Sequence, residues 1–548
     1  MKLQLGDSRT MAERRFLTLE KRLDRAPELK EQYMAFLREY EQLGHMKLNN
    51  DVTDEDPHSV FYLPHHYVLK PSSTTTRLRV VFDGSAESST GISINQTQMI
   101  GPTVQNHLVC IVSNFRVFKY GFTADVPKMY RQVGVHRNDR RYQKVVNRYD
   151  SNHPLQTYDL QTVTYGLASS PFLATMALLQ LANDEEQQFP RAAAAVRKSF
   201  YIDDVLTGAN TLEEALELKN QIIGLLKKGC FSMHKFCSNS EALLEDVPEN
   251  MRESVINIED PTINAVIKTL GVAWQPQEDC FTFVVPVDTT VEPNRLTKRL
   301  ILSQIAKIFD PLGFVGPVVT AAKLIMRELW SLNLDWDEPV PTEMANLWTD
   351  FRNELHCLNE LKIPRWILSD EACAVELHGF ADASDLAYGA CLYSRLVKGD
   401  GSADLKLICS KSRILPRKKG KQKEITTPRA ELLAAQLLAR LTVKQLDALD
   451  VQFESVVLWS DSQIVLCWLR KSPDYLAVYV GNRVREIQRS TDNFAWKYIP
   501  SKSNPADTIS RGIQPKNLKA HELWWNGPPN LRYPDGRFDE PPPIAGPS

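Results

Sequence analysis

Apolar and polar positions along this chain switch between a helical and a strand period, and the switches mark its elements. Residues 11 to 45 contain few breakers, and Phe16, Leu19 and Leu23 fall on one stripe. That spacing predicts a charged amphipathic helix packed by its apolar face. From about 58 to 240, strand-like pieces alternate with helices through "RLRVVFDG", "FTADVPKMYRQVGV", "PFLATMALLQLAND" and "KSFYIDDVLTG", ending in the helical "TLEEALELKNQIIGLLKKG". The stretch 241–350 is mixed, with a Pro-bounded strand pair near "DCFTFVVPV" and a helix in "GPVVTAAKLIMRELW". A second strand-rich unit opens at "AVELHGFADAS", contains the long helix "TPRAELLAAQLLARLTVKQLDAL", and continues into the strand "ESVVLWSD". Residues 516–548, with "GPPN" and "EPPPIAGPS", read as a Pro-rich tail without fixed structure. No internal repeat is visible.

A chain of 548 residues is too long for one core and predicts several domains. Its 43% hydrophobic and 24% charged residues are ordinary for a globular protein. A formal net charge of -2 gives no overall basic signature, so any nucleic-acid contact must come from local patches. The nine cysteines form no C-x-x-C pair, which argues for reduced thiols rather than a disulfide framework or zinc knuckle. The charged N-terminus lacks the apolar core of a signal peptide, and no apolar run reaches the ~18 residues of a membrane span. The expectation is an intracellular protein, cytoplasmic with the nucleus open, and no membrane partner.

The stretch "SFYIDDVLT" puts Asp203 and Asp204 side by side in an apolar run of β-branched and aromatic residues. Burying two unpaired carboxylates together is costly. An Asp-Asp pair by itself usually marks a solvated turn. Here Asp125 stands in a second apolar stretch, "YGFTADVPKMYRQV", again at a strand end with a helix-like segment after it. Two strand-borne acidic sites beside aromatic residues suit a two-metal phosphoryl-transfer centre. Magnesium prefers hard carboxylate oxygens, and paired ions clamp the attacking and leaving oxygens of an in-line displacement.

The C-terminal unit repeats the pattern. Asp382 follows an apolar strand in "GFADAS", Glu431 lies in the first turns of "TPRAELLAA", Asp461 ends the strand of "VVLWSDSQIV", and Asp507 opens a short helix in "NPADTISRG". Singly, Glu431 would complement a helix dipole and Asp507 would be a cap. The order Asp, Glu, Asp, Asp on strand, helix, strand and helix is much less common by chance.

The phrases "FTADVPKMY", "TYGLASSP", "YIDDVLTG" and "MHKF" resemble, in order and spacing, the motifs of retroelement reverse transcriptases. "FYLPHHYVLK", "TRLRVVFDGSAES", "KIFDPLGFVGPVV" and "LWWNGPPN" are similar to the polyprotein of Pao/BEL-type LTR retrotransposons. The resemblance covers most of the chain. It implies an α/β and α+β multidomain fold: a right-hand reverse transcriptase of fingers, palm and thumb, followed by an RNase H-like α/β domain. The implied boundaries are an N-terminal helical extension at 1–57, fingers and palm at 58–240, thumb/connection at 241–350, the RNase H-like domain at 351–515 and the tail at 516–548.

By that resemblance Asp125, Asp203 and Asp204 match the palm metal ligands, with Asp204 the weaker contributor. Tyr130 matches the aromatic gate that excludes a ribose 2′-hydroxyl by clash. Arg79 matches the fingers arginine on the incoming triphosphate, with Lys70 a looser second phosphate contact. Tyr165 and Gly166 match the segment under template and nucleotide. Lys235 matches the lysine near the leaving pyrophosphate, a candidate general acid. Leu270, Gly271 and Trp274 in "LGVAW" resemble the primer-grip hairpin. Asp382, Glu431, Asp461 and Asp507 match the ribonuclease H set that hydrolyses the RNA strand of an RNA–DNA hybrid. No histidine occurs between Asp461 and Asp507, so the flexible-loop histidine of some ribonucleases H is absent.

Lys411, Arg413, Arg417, Lys418, Lys419, Lys421 and Lys423 form a basic run that reads either as a solvated loop or as a phosphate-tracking one. No D-[ST]-G triplet and no His-His-Cys-Cys pattern occurs, so neither protease nor integrase activity is predicted. The expected activity is RNA-directed DNA polymerase with RNase H, using two Mg2+ (or Mn2+) ions per active site. Expected partners are an RNA template, a DNA primer, dNTPs and the RNA/DNA hybrid, with a gag particle as a further one. The alternative is a catalytically retired nucleic-acid-binding remnant of a retrotransposon.

Overall fold

The computed structural model describes residues 5–50, 56, 58–69, 78–253, 267–286, 292–416, 425–533 and 538. Lys70 and the basic-run residues Arg417, Lys418, Lys419, Lys421 and Lys423 lie outside the described residues. The chain divides into two compact units: residues 1–106, 124–205 and 217–234, and residues 107–123, 206–216 and 235–548.

The first unit opens with two helices, α1 (Arg9–Leu23) and α2 (Pro27–Gln42), where the apolar stripe predicted one. Proline fixes its own φ and disfavours helix at the residue before it, so Pro27 ends one helix and starts the next. The predicted stripe does pack: Phe16, Leu19 and Leu23 are buried. Tyr33 and Tyr40 of α2 are fully buried against Phe61, Leu63, Val80 and Phe82. Burial pulls the His65 imidazole down to about 4, keeping it neutral. With its Nε2–H donating to the Val146 carbonyl at 2.9 Å, its Nδ1 accepts the Tyr33 hydroxyl.

The "TADV" and "YIDDV" motifs fall on one four-stranded sheet, whose strands are β1 (Tyr120–Asp125), β2 (Phe200–Tyr201), β3 (Asp204–Ala209) and β4 (His234–Ser238), in the spatial order β2-β3-β1-β4.

In the second unit, helices α3 (Lys298–Ala306), α4 (Gly316–Ser331) and α5 (Thr342–Glu354) precede a five-stranded sheet. Its strands are β5 (Ala372–Ala383), β6 (Ala387–Lys398), β7 (Ala403–Ile414), β8 (Ser455–Ser460) and β9 (Ala495–Tyr498), in the order β7-β6-β5-β8-β9. The first three are antiparallel, while β8 runs parallel to β5 and β9 parallel to β8. A parallel neighbour requires a crossover, and α6 (Thr427–Ala448) supplies it between β7 and β8. Its Ala- and Leu-rich sequence, with Pro428 at the first turn, favours one long helix. Short helices α7 (Gln463–Leu469) and α8 (Val478–Ser490) pack against it through Val465, Val480, Val484 and Ile487. A further helix, α9 (Ala506–Arg511), lies against β6, where Gly389 makes room; a Cβ there would sit 2.5 Å from Ile509 Cγ2.

Two buried arginines join distant segments of this unit. The Arg116 guanidinium donates to the carbonyls of Arg365, Leu407, Ile408 and Pro364 at 2.7–3.0 Å and lies over the Phe314 ring. Arg365 forms a two-pronged ion pair with Asp279 at 2.6 and 2.8 Å. Burial lowers the Arg116 group to about 9, still charged at neutral pH.

The expectation of a structureless tail fails over residues 516–533. Helix α10 (Glu522–Asn526) and neighbouring turns hold Trp524 fully buried, its indole N–H donating to the Phe314 carbonyl at 2.9 Å. Proline is common at the first turn of a helix, so the Pro-rich composition that suggested disorder here punctuates short helices instead.

Candidate active sites

The pairing of β5 with β8 builds the C-terminal acid cluster. Ala381 and Ser460 are register partners in this parallel pair, so the residues that follow them, Asp382 and Asp461, emerge together at the C-terminal ends of adjacent strands. Loops and helix starts at that edge are where open α/β sheets collect functional groups. Helix α6 brings Glu431 to the same edge from its first turns, and the Glu431 carboxylate accepts the Ala383 N–H at 3.3 Å. Ligand oxygens of Asp382, Glu431 and Asp461 all lie within 4.8 Å of one another.

Asp382 is 4% exposed and Glu431 9% exposed, so their charges are poorly solvated. Burial first, and the Asp461 charge next, raise the Asp382 carboxyl to about 7. Burial, followed by the charges of Asp382 and Asp461, pushes Glu431 up to about 9. Asp461 is also raised, chiefly by burial. The Ser510 hydroxyl donates to Asp382, and the Ser501 hydroxyl to Asp461. Glu431 Oε2 is buried without a hydrogen-bond partner among the described residues.

Converging hard oxygens, raised proton affinities and an orphaned carboxylate oxygen together describe a site that fits a divalent cation. Asp507 stands beside the trio rather than in it. Its carboxylate is ion-paired with Arg511 at 2.5 Å, while its charge raises the other three acids. Sequence reasoning missed Ser510, Arg511 and Ser501, which hold these carboxylates. "NPADTISRG" contains the first two, but hydroxyls and lone arginines carry no motif strong enough to select them.

The N-terminal acid set is built differently. Tyr201 pairs with Asp204 across a tight hairpin, leaving Ile202 and Asp203 at its tip. Ile202 takes a left-handed φ of 55°, rare for a β-branched residue, and its N–H donates to Gln105 Oε1 at 2.9 Å. The N–H of Val126, the residue after Asp125, donates to the Asp203 carbonyl at 2.8 Å, so the ends of the two motifs adjoin. Tyr130 is half-buried; burial, then the Asp203 charge, raises its hydroxyl.

Arg79 is exposed on the strand Leu78–Phe82 and its charge acts on Tyr165, whose hydroxyl donates to the Val80 carbonyl at 2.7 Å. Gly166 has φ 98°, and a Cβ there would lie 2.1 Å from the Phe82 carbonyl oxygen, so no other residue fits. Lys235 lies in β4 with a left-handed φ of 53°. Leu270 and Gly271 form the turn between the strands Ile267–Thr269 and Val272–Gln275, and Trp274 is buried against Phe115.

Comparison with known proteins adds a family and a fold. Residues 297–462 match the Pao retrotransposon-like RNaseH-like domain, a span holding Asp382, Glu431 and Asp461 but not Asp507. A search of curated proteins finds no match. Among solved structures, the foamy viral protease-reverse transcriptase in complex with dsDNA shares the fold with a TM-score of 0.53 and 15% identity, over 86% of this chain and 83% of that one. A second foamy viral structure with double-stranded DNA gives 0.53 and 16%, over 84% and 68%. The same enzyme with an RNA/DNA hybrid gives 0.52 and 14%, over 86% of this chain and 54% of that one. Residues 297–462 thus hold a Pao retrotransposon-like RNaseH-like domain around the acid trio, within a fold shared with foamy viral protease-reverse transcriptases.

Proposed function

We propose that this chain is an RNA-directed DNA polymerase with an associated RNase H activity, acting on retroelement RNA and DNA. The RNase H half rests on one observation: three carboxylates, within 4.8 Å, whose mutual repulsion only a cation or protons can relieve. Asp382, Glu431 and Asp461 would hold divalent metal, Mg2+ or Mn2+, with Asp507 assisting from the rim. Bound there, the metal would activate water and stabilise the leaving oxygen of a phosphodiester. The protein's own contribution is positional. Ser510 and Ser501 fix two of the carboxylates, the Ala383 N–H fixes the third, and Glu431, whose proton affinity burial and its neighbours raise, would release its proton to solvent as the cation binds.

For the polymerase half, support comes from the adjoining "TADV" and "YIDDV" segments and from the shared fold. In this reading the acids Asp125, Asp203 and Asp204 hold metal in a palm, with fingers before it and a thumb after it. Tyr130 is the sugar gate, Arg79 and Lys70 meet triphosphate, Tyr165 and Gly166 support template and nucleotide, and Lys235 protonates the leaving group. The solved relatives were captured with dsDNA and with an RNA/DNA hybrid, and the same ligands, with primer and dNTPs, are assigned to this chain. Two assays on purified protein test the proposal: cleavage of the RNA strand of a hybrid, and extension of a DNA primer on RNA, each with Mg2+ or Mn2+. Cleavage that is unchanged in Asp382→Asn defeats the RNase H assignment. Folded protein that neither cleaves nor extends leaves the retired remnant as the better reading.

A further inference from the structure

A polar cavity of 390 Å³ lies between α6, α8 and the β6–β7 pair, away from the acid trio. Its charged lining is three arginines, Arg413, Arg440 and Arg483, against one carboxylate, Glu486. Tyr388 and Asn482 add neutral polar groups. Glu486 is already committed: it takes a two-pronged pair from Arg440 at 2.5 and 3.0 Å and a bond from Gln436 at 2.7 Å. Arg483 spends one N–H on the Tyr479 carbonyl at 2.9 Å, and its guanidinium sits 3.6 Å from the Tyr479 ring centroid. Arg429 approaches the same ring at 5.0 Å, so one aromatic side chain gathers two cations beside α6. Arg413 is exposed on β7, opposite Tyr388 in the strand register, with no ion pair among the described residues.

Like charges gathered in a concavity raise its potential, and one carboxylate offsets only one of the three. Guanidinium forks match phosphate oxygens geometrically, and a cavity of this size admits a phosphodiester with water. The position is also apt. Tyr388 is the register partner of Ala383, the residue whose N–H fixes Glu431, so the cavity begins one strand from the acid trio.

From this arrangement we infer that the Arg413–Arg440–Arg483 cavity holds a backbone phosphate of the nucleic-acid duplex whose RNA strand the acid trio cleaves. The inference rests on the RNase H reading and adds to it a particular positioning contact. In this role Arg413 belongs to a built pocket shared with two helices, rather than only to the basic run in which it stands.

The test is equilibrium binding of a fluorescent RNA–DNA hybrid to the full chain across a KCl series, with EDTA present to prevent cleavage. Arg413→Gln/Arg483→Gln should weaken binding about tenfold near 0.1 M salt and lower the slope of log K against log [salt] by roughly one, since the single phosphate held there contributes about 0.9. Glu486→Gln removes the opposing charge and should strengthen binding about two- to threefold, an outcome that mere misfolding cannot produce. Equal affinity and equal slope in wild type and the double variant, with unchanged unfolding midpoints, overturn the assignment. Thermal stabilisation by inorganic phosphate at constant ionic strength, lost in the double variant while hybrid affinity is kept, overturns it in favour of a small-anion site. Wild-type protein that binds no hybrid overturns the RNase H reading itself, and this inference with it.

Discussion

Replacing Asp382 by Asn should make the metal-free protein more stable at pH 8 while removing hybrid cleavage. An acid whose folded-state proton affinity is raised carries no penalty below its unfolded value. It loses stability as pH climbs from there to the folded value. For Asp382 that window runs from 3.8 to about 7, and for Glu431 from 4.5 to about 9. At about 1.4 kcal/mol per pH unit, ionising Asp382 alone costs on the order of 4 kcal/mol before the site relaxes or takes up water, and roughly 1–3 kcal/mol afterwards. Its charge is also the second cause, after burial, of the Glu431 shift, so the neutral amide relieves both groups. Calorimetric unfolding in EDTA at pH 5, 6.5 and 8 reads this directly. Wild type should lose stability steadily over that range, and Asp382→Asn should lose less. Adding Mg2+ or Mn2+ at about 100 times Kd should return roughly 2.7 kcal/mol to wild type at pH 8, and much less to the variant. A variant that is less stable than wild type in EDTA at pH 8, or a wild-type profile flat with pH, would refute the claim that burial and mutual repulsion of these carboxylates shape the site.

Asp203→Asn should reduce primer extension on RNA by about a thousandfold while leaving hybrid cleavage intact, measured on one preparation with both substrates. Tyr130→Val should raise ribonucleotide over deoxynucleotide incorporation by about tenfold, ~1.4 kcal/mol of lost discrimination, read from single-nucleotide extension rates. Arg116→Met leaves the carbonyls of Arg365, Leu407, Ile408 and Pro364 without their donor and should cost about 3–5 kcal/mol in urea unfolding. Arg116→Lys should recover little of this, because one ammonium cannot reproduce the fork.

Much of the catalytic chemistry was legible because its acids interrupt apolar strands, where an unexplained carboxylate stands out. Asp382 and Asp461 each end a run whose burial is readable from side-chain character, and Glu431 opens a helix of strong propensity. The register that makes them neighbours was not legible: β5 and β8 meet only after α6 crosses over, and pairing across that distance leaves no local trace. Arg116 shows the same limit more sharply. Its partner Ile408 lies 292 positions away, and nothing near Arg116 distinguishes it from a surface arginine. The break between α1 and α2 could be read at Pro27, yet the apolar stripe continues across it and suggested a single helix. In the tail, proline content outweighed two adjacent tryptophans, although a chain that buries Trp524 completely has more than enough apolar area to order a few turns.

The two acid sets also differ in what holds them in place. In the C-terminal set, parallel strand ends and the first turns of a long helix fix three carboxylates by backbone geometry, and burial first, then neighbouring acid charges, raises their proton affinities. In the N-terminal set, a hairpin tip presents Asp203, which remains exposed, and the turn carries backbone strain. A left-handed isoleucine at position 202 is unfavourable by roughly 1–2 kcal/mol. That strain persists because Gln105 holds the Ile202 N–H and Val126 holds the Asp203 carbonyl. The C-terminal site is thus marked by raised proton affinities, and the hairpin that carries Asp203 by a left-handed turn.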